Sequence, residues 1–288
     1  MDVSENKLKA IPDGLCSLAA LESLDISENE ITALPAEFGQ LTNLETLMCF
    51  KNLLSKLPDS IGKCAALSEV NLFNNKLIRL PAAMSDLNGL TDLNVGGNKL
   101  KTLPKTDNWT QLETLKCHQN TLIMLPSFGQ MGALVTLKMD MCKALRELPD
   151  FGDNGLPLLE TLEISSCDLQ LLPASLSKMR SLKSLYCQSN SIASFDASMA
   201  PSLELLNASN NDGLRSLSDS SIAACAPSLR VLFLQGTGLT EASMPAALTS
   251  CSLPKLARLM VPPQSLSDDT LTALKNVTEG NGGWTKEV

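Results

Sequence analysis

Leu or Ile stands at Leu21, Leu24, Ile26, Ile31 and Leu34, with Asn29 inside the set and Pro35 closing it. The same arrangement returns over Leu44–Pro58, Leu67–Pro81, Leu90–Pro104 and Leu112–Pro126. Self-similarity at a fixed period of this size marks a repeat architecture, in which each unit buries its apolar face against the next. Inside each unit the apolar residues alternate at period two, as in Leu24-Asp-Ile26, Leu47-Met-Cys49 and Leu93-Asn-Val95. That alternation predicts a short strand with its Leu face inward and the intervening side chains outward. Each strand is followed by a Leu-Pro step and then an apolar-Gly step, as in Leu34-Pro35 with Phe38-Gly39. Pro fixes φ and removes a donor, so the return segment is expected to start irregular or 3-10. Phe38, Phe128 and Phe151 share one position and Trp109 falls on an inward slot, so all four read as core.

One polar position also repeats. Asn fills it at Asn6, Asn29, Asn52, Asn75, Asn98 and Asn120; Cys142 and Cys167 then take it, followed by Asn190, Asn211, Thr237 and Gln264. The slot points inward, where an amide can bond backbone groups of the turn that would otherwise be buried unpaired. The residues from Asn29 to Asn211 are therefore expected to form an internal Asn/Cys ladder, with weaker bonding where Cys replaces Asn.

This pattern resembles the leucine-rich repeat family, L-x-x-L-x-L-x-x-N-x-L-x-x-L-P, over nearly all of the chain. The resemblance implies an α/β solenoid: a horseshoe with a parallel concave sheet of about 11–12 short strands, its convex side 3-10 or irregular early and helical late. It implies one domain over 1–288. Residues 1–173 carry LxxLP-type repeats similar to those of intracellular signalling scaffolds. Residues 174–264 carry longer, more irregular repeats, 265–279 a capping helix and 280–288 a tail. After Pro173 the Leu-Pro step gives way to Phe195-Asp196 and Leu217-Ser218. Asp219–Ala226 and Glu241–Cys251 have polar starts and Ala-rich interiors, and read as helical. Ser267 followed by two acids reads as a capped helix start. At the other end, Met1–Asn6 begins in mid-repeat and leaves a bare sheet edge, a pairing hazard. Further chain or another subunit is expected to cover it.

Composition narrows the function. The formal charge of −8 argues against non-specific nucleic-acid binding, which draws on Lys and Arg at phosphates. No apolar run is long enough to span a membrane, and the first residues lack an apolar signal segment. Nine cysteines, mostly at core positions and none in a close pair, read as small hydrophobes in a reducing compartment, and so as a cytoplasmic protein. Against this stand three glycosylation-type triplets beginning at Asn108, Asn207 and Asn276.

Solenoids of this kind bind through the strand face. Its outward residues expected to meet a partner are Met48, Phe50, Asn71, Phe73, Asn94, Lys116, His118, Lys138, Tyr186 and Phe233. Phe50 and Phe73 would be adjacent rungs of one row, a candidate apolar patch. Lys116, His118 and Lys138 would form a basic centre able to meet an acidic segment. Chemistry is not indicated. The single His118 follows Cys117, and neighbours in a strand face opposite sides, so they cannot pair. There is no Gly-rich phosphate loop and no metal-ligand spacing. The expectation is a non-enzymatic scaffold that binds a protein partner on its concave face, without cofactor or metal. The alternative is the recognition domain of a receptor or pathogen effector whose other modules lie outside this chain.

Overall fold

The computed structural model describes residues 1–152, 155–195, 200–245, 248, 253–262 and 267–281. Eleven three-residue strands, all parallel, follow one another in sequence order in an open sheet. The chain divides into two compact units, Met1–Ala144 and Leu145–Val288.

The first unit holds β1 (Ser23–Asp25), β2 (Thr46–Met48), β3 (Glu69–Asn71), β4 (Asp92–Asn94), β5 (Thr114–Lys116) and β6 (Thr136–Lys138). Successive strands pair in register, Leu24 beside Leu47, Leu47 beside Val70 and Val70 beside Leu93. Asp2 adds an isolated parallel bridge to Asp25, so the incomplete first repeat extends the β1 edge. The middle residue of each strand is fully buried, while its flanking residues are wholly or partly exposed. Return segments run as short 3-10 helices: Asp13–Ser17, Phe38–Gln40, Asp59–Lys63 and Ala82–Asp86. Three of the four start directly after a Pro, whose extended backbone sets the entry. Phe38, Trp109 and Phe128 fill the interior, and Trp109 Nε1 donates to Met84 O at 3.0 Å, which satisfies the indole.

The second unit holds β7 (Thr161–Glu163), β8 (Ser184–Tyr186), β9 (Leu205–Asn207), β10 (Val231–Phe233) and β11 (Arg258–Met260). Its return segments change type. Ala174–Lys178 is 3-10 after Pro173, whereas α1 (Asp219–Ala223) is α-helical, with Ser218 accepting from Ser221 N. The stretch expected to be helical from Glu241 opens differently: Glu241–Ser243 is a 3-10 turn held by a Thr240/Ser243 capping box. Cys251, the end of that stretch, lies outside the described residues, as do Asp196, Gln264 and the tail beyond residue 281. The chain's last described helix is α2 (Asp268–Gly280), with Asp268 and Asp269 in its first turn.

In both units the Asn slots lock one repeat to its predecessor. Asn98 is typical: Nδ2 donates to Leu72 O, Val95 O and Gly96 O at 3.0–3.1 Å, and Oδ1 accepts from Leu77 N at 3.0 Å. Asn29, Asn52, Asn75 and Asn120 repeat this in the first unit, and Asn190 and Asn211 in the second. The thiols bond more weakly, Cys142 Sγ to Cys117 O at 3.6 Å and Cys167 Sγ to Ser165 O at 3.5 Å. The residue just before the slot is left-handed in nearly every repeat. Glu5, Glu28, Lys51, Asn74, Gln119 and Met141 have φ between 52° and 59°, and Gly97 has 64°.

Candidate functional site

The outward side chains of the sheet stand in rows along successive rungs. In the first unit the central row includes Met48, Asn71, Asn94, Lys116 and Lys138, all partly exposed. Met48 is registered with Asn71, Asn71 with Asn94 and Lys116 with Lys138. Two of these residues shape the backbone beside them. Asn71 Oδ1 accepts from Phe73 N, and Asn94 Oδ1 from Gly96 N, both at 3.1 Å. Such Asx turns hold the strand exit in one conformation, and the sequence pattern alone did not suggest them.

The next row carries Phe50, Phe73, Gly96 and His118. Phe50, Phe73 and His118 are partly buried. The ring contact in this row lies between Phe73 and His118, with centroids 5.6 Å apart and planes at 27°. Gly96 makes the contact possible, because a Cβ there would lie 2.5 Å from His118 Cε1. Ser27, at this position of the first rung, is buried: its hydroxyl donates to Asp25 Oδ1 at 2.6 Å. Ser209 in the second unit is buried by the same contact to Asn207.

In the second unit Tyr186 and Phe233 are both partly exposed and both registered against Asn207, one from each side. Phe233 is also registered with Met260. Four successive rungs thus carry Tyr186, Asn207, Phe233 and Met260 in one row.

Cys117 is buried and His118 is not, as expected of neighbours in an extended segment. Cys16, Cys49, Cys64, Cys142, Cys187 and Cys225 are buried free thiols. Burial pushes Cys64, Cys142 and Cys225 up to about 11 and Cys187 to about 12. Thiols held neutral at physiological pH are poor nucleophiles. Among the described residues no group of His, Cys, Asp and Glu could hold a metal ion. Nor is any described helix long and apolar enough to cross a membrane.

A cleft of about 540 Å³ opens beneath the Leu-Pro turns of the first unit, among Ala33, Lys56, Pro58, Arg79 and Pro81. Nothing in the repeat template singles it out. Its only sequence signal is Lys56 and Arg79 at the same position of adjacent repeats, where the preceding repeat has Ala33.

A family model described as leucine rich repeat matches residues 1–54. A leucine-rich repeat protein of Leptospira interrogans superposes with a TM-score of 0.79 at 26% identity, covering 96% of this chain and 76% of that one. This is a leucine-rich repeat protein. Its solved likenesses span different settings. The effector YopM of Yersinia pestis gives 0.63 at 26% identity, over 89% of this chain and 69% of that one. The ectodomain of the Arabidopsis thaliana membrane receptor kinase GASSHO1/SCHENGEN3, solved with CASPARIAN STRIP INTEGRITY FACTOR 2, gives 0.67 at 23%. There the match covers 95% of this chain and 37% of the ectodomain. No curated protein matches the leucine-rich repeat chain significantly.

Proposed function

We propose that this leucine-rich repeat protein is a non-enzymatic binding module that grips a protein partner on the outward face of its sheet. The observation that carries the reading is the row of Phe50, Phe73 and His118 in the first unit, with Lys116 and Lys138 beside it. Aromatic rings left partly in water on a regular sheet suit the core of an interface, where Phe, Tyr and Met are enriched. The two lysines supply a charged margin for an acidic segment. Tyr186, Phe233 and Met260 would extend the same kind of contact in the second unit. No cofactor enters this reading. The buried free thiols of Cys16, Cys49, Cys64, Cys142, Cys187 and Cys225 support a reducing, cytoplasmic setting and an intracellular scaffold.

A second reading, a recognition domain of a receptor or effector, draws on the likenesses to a receptor ectodomain solved with a bound factor and to YopM. One experiment addresses both. Wild-type protein and the Phe50→Asp/Phe73→Asp variant, matched for fold by circular dichroism, are used to capture partners from the source cell, with mass spectrometry as readout. Partners lost only with the variant support the sheet face, and their identity separates scaffold from receptor or effector. An unchanged partner set sinks the assignment to this face.

A further inference from the structure

The first unit carries a second surface on a different side. The segments that follow the Asn slots lie side by side: Lys76 N donates to Leu54 O at 2.9 Å and Lys99 N to Leu77 O at 2.8 Å. Ile123 N then donates to Lys101 O at 3.0 Å, which continues the ladder. This stacking gathers Lys56, Lys76, Arg79, Lys99 and Lys101 onto three neighbouring rungs. All five are exposed, and none forms an ion pair with another described residue. In their midst Ile78 is 62% exposed, between Lys76 and Arg79 in sequence and between the Lys56 and Lys101 rungs in space.

Beside this cluster lies the cleft of about 540 Å³, with Lys56 and Arg79 on its wall and Ala33, Leu34 and Ala36 among its lining. Its one carboxylate, Asp59, starts a 3-10 turn and pairs with neither cation. The cleft is within the size range of sites that enclose small ligands or a few side chains. Five exposed cations on three neighbouring rungs, none in an ion pair with another described residue, make a local basic patch in a chain of net charge −8.

We propose that this flank is a docking site for an acidic, extended protein segment, with carboxylates on Lys56, Arg79 and the neighbouring lysines and an aliphatic side chain against Ile78 and the cleft. Arg79 offers a fork matched to a carboxylate, and Lys56 a second charge within the same hollow. The cations sit on rungs about 4.8 Å apart, so the cluster spans the length of three or four extended residues. A bilayer fits less well. It is a plane that would meet the chain's acidic surroundings as well as the patch, whereas a peptide samples charge only within a Debye length of about 8 Å. A flat surface also leaves the cleft empty.

The test uses a fluorescein-labelled peptide with Glu on both sides of a central Leu, titrated with the full chain and read by anisotropy. Wild type is expected to bind, with affinity falling as salt rises. Lys56→Glu/Arg79→Glu should lose at least tenfold, and Ile78→Asp several-fold. Lys63→Glu, on the 3-10 segment of the same repeat, and Phe50→Asp/Phe73→Asp should bind like wild type. That last result separates this site from the sheet face. Circular dichroism confirms that each variant folds. Three outcomes overturn the proposal: no binding by wild type at low salt, equal binding by Lys56→Glu/Arg79→Glu, or binding to phosphatidylserine vesicles without binding to the peptide.

Discussion

The imidazole of His118 lies nearly parallel to the ring of Phe73, 5.6 Å away, although the two residues belong to repeats separated by a whole rung. That rung carries Gly96, whose missing side chain is the space the imidazole occupies. Gly96→Ala therefore forces the rings apart. A stacked aromatic pair contributes about 0.5–1.5 kcal/mol beyond its buried area, so the variant should unfold at lower urea by about that amount. It should also lose the ring-current shift on the His118 imidazole protons. An alanine variant with wild-type stability and unchanged imidazole shifts would show that the stack contributes nothing. If the sheet face binds as proposed, the same variant should weaken partner capture without abolishing it.

The Asn slots should matter more than any outward residue. Asn98→Ala strands the buried Leu77 N–H, and it takes from Leu72 O one of two amide donors, the other being Asn75 Nδ2. A buried group left unpaired costs about 1–3 kcal/mol, so a loss of roughly 2 kcal/mol is expected. Cys142→Ala removes weaker sulfur contacts, the one to Cys117 O being 3.6 Å long, and should cost less than half as much. Urea unfolding of the two variants side by side decides it. Equal losses would mean that the slot works by packing and not by hydrogen bonding.

What the sequence revealed and what it concealed divide along physical lines. The buried Leu and Ile columns and the Leu-Pro steps are legible because one side-chain type repeats for one reason, burial or the loss of a donor. Strands, parallel order and 3-10 returns follow from them. The contact between Phe73 and His118 was not legible. It depends on a gap at Gly96 and on rings leaning across a rung, which the repeat template does not encode. The burial of Ser27 was hidden for a related reason: a hydroxyl small enough to bond Asp25 tucks under the surface. The cluster around Lys56 and Arg79 escaped because it lies off the strand face, where the repeat imposes no pattern.

The left-handed residue before each Asn slot was hidden too, because Glu28, Lys51 and Gln119 carry no mark of it. The position makes a two-sided prediction. At Gly97, φ is 64° and a Cβ would meet Asn74 N at 3.1 Å and Phe73 Cε2 at 3.2 Å. Gly97→Ala should therefore destabilise by about 1–2 kcal/mol, the cost of a side chain in this region. Gln119→Gly relieves a similar strain but adds freedom to the unfolded chain, about 0.5–1 kcal/mol. Its net effect should stay within about 0.5 kcal/mol of zero. Thermal unfolding of both variants checks the asymmetry, and a strongly stabilising Gln119→Gly would mean that the strain outweighs the entropy.

The buried thiols set the alkaline limit of stability. Desolvation raises Cys64, Cys142 and Cys225 from 9.0 to about 11 and Cys187 to about 12, and it raises Cys49 in the same direction. Below pH 9 the thiols are protonated in folded and unfolded chains alike, and their contribution is fully present. Above pH 9 the unfolded chain releases protons that the folded chain still holds, so the unfolded state gains free energy of ionisation and stability falls. The decline should start at pH 9, ease near 11 as Cys64, Cys142 and Cys225 ionise in the folded chain, and continue to about 12 for Cys187. Urea midpoints measured across that range should fall steadily. Tyr and Lys side chains also titrate there, so the decisive comparison is with Cys64→Ala and Cys187→Ala. Each of these variants should start less stable at pH 8, because a buried side chain has been cut back, yet lose less on going to pH 11 than wild type does. If both variants decline as steeply as wild type, burial of these thiols is not what limits the protein at high pH. Alkylation gives an independent check: iodoacetamide at pH 8 should label the folded protein slowly and all nine cysteines quickly once urea unfolds it.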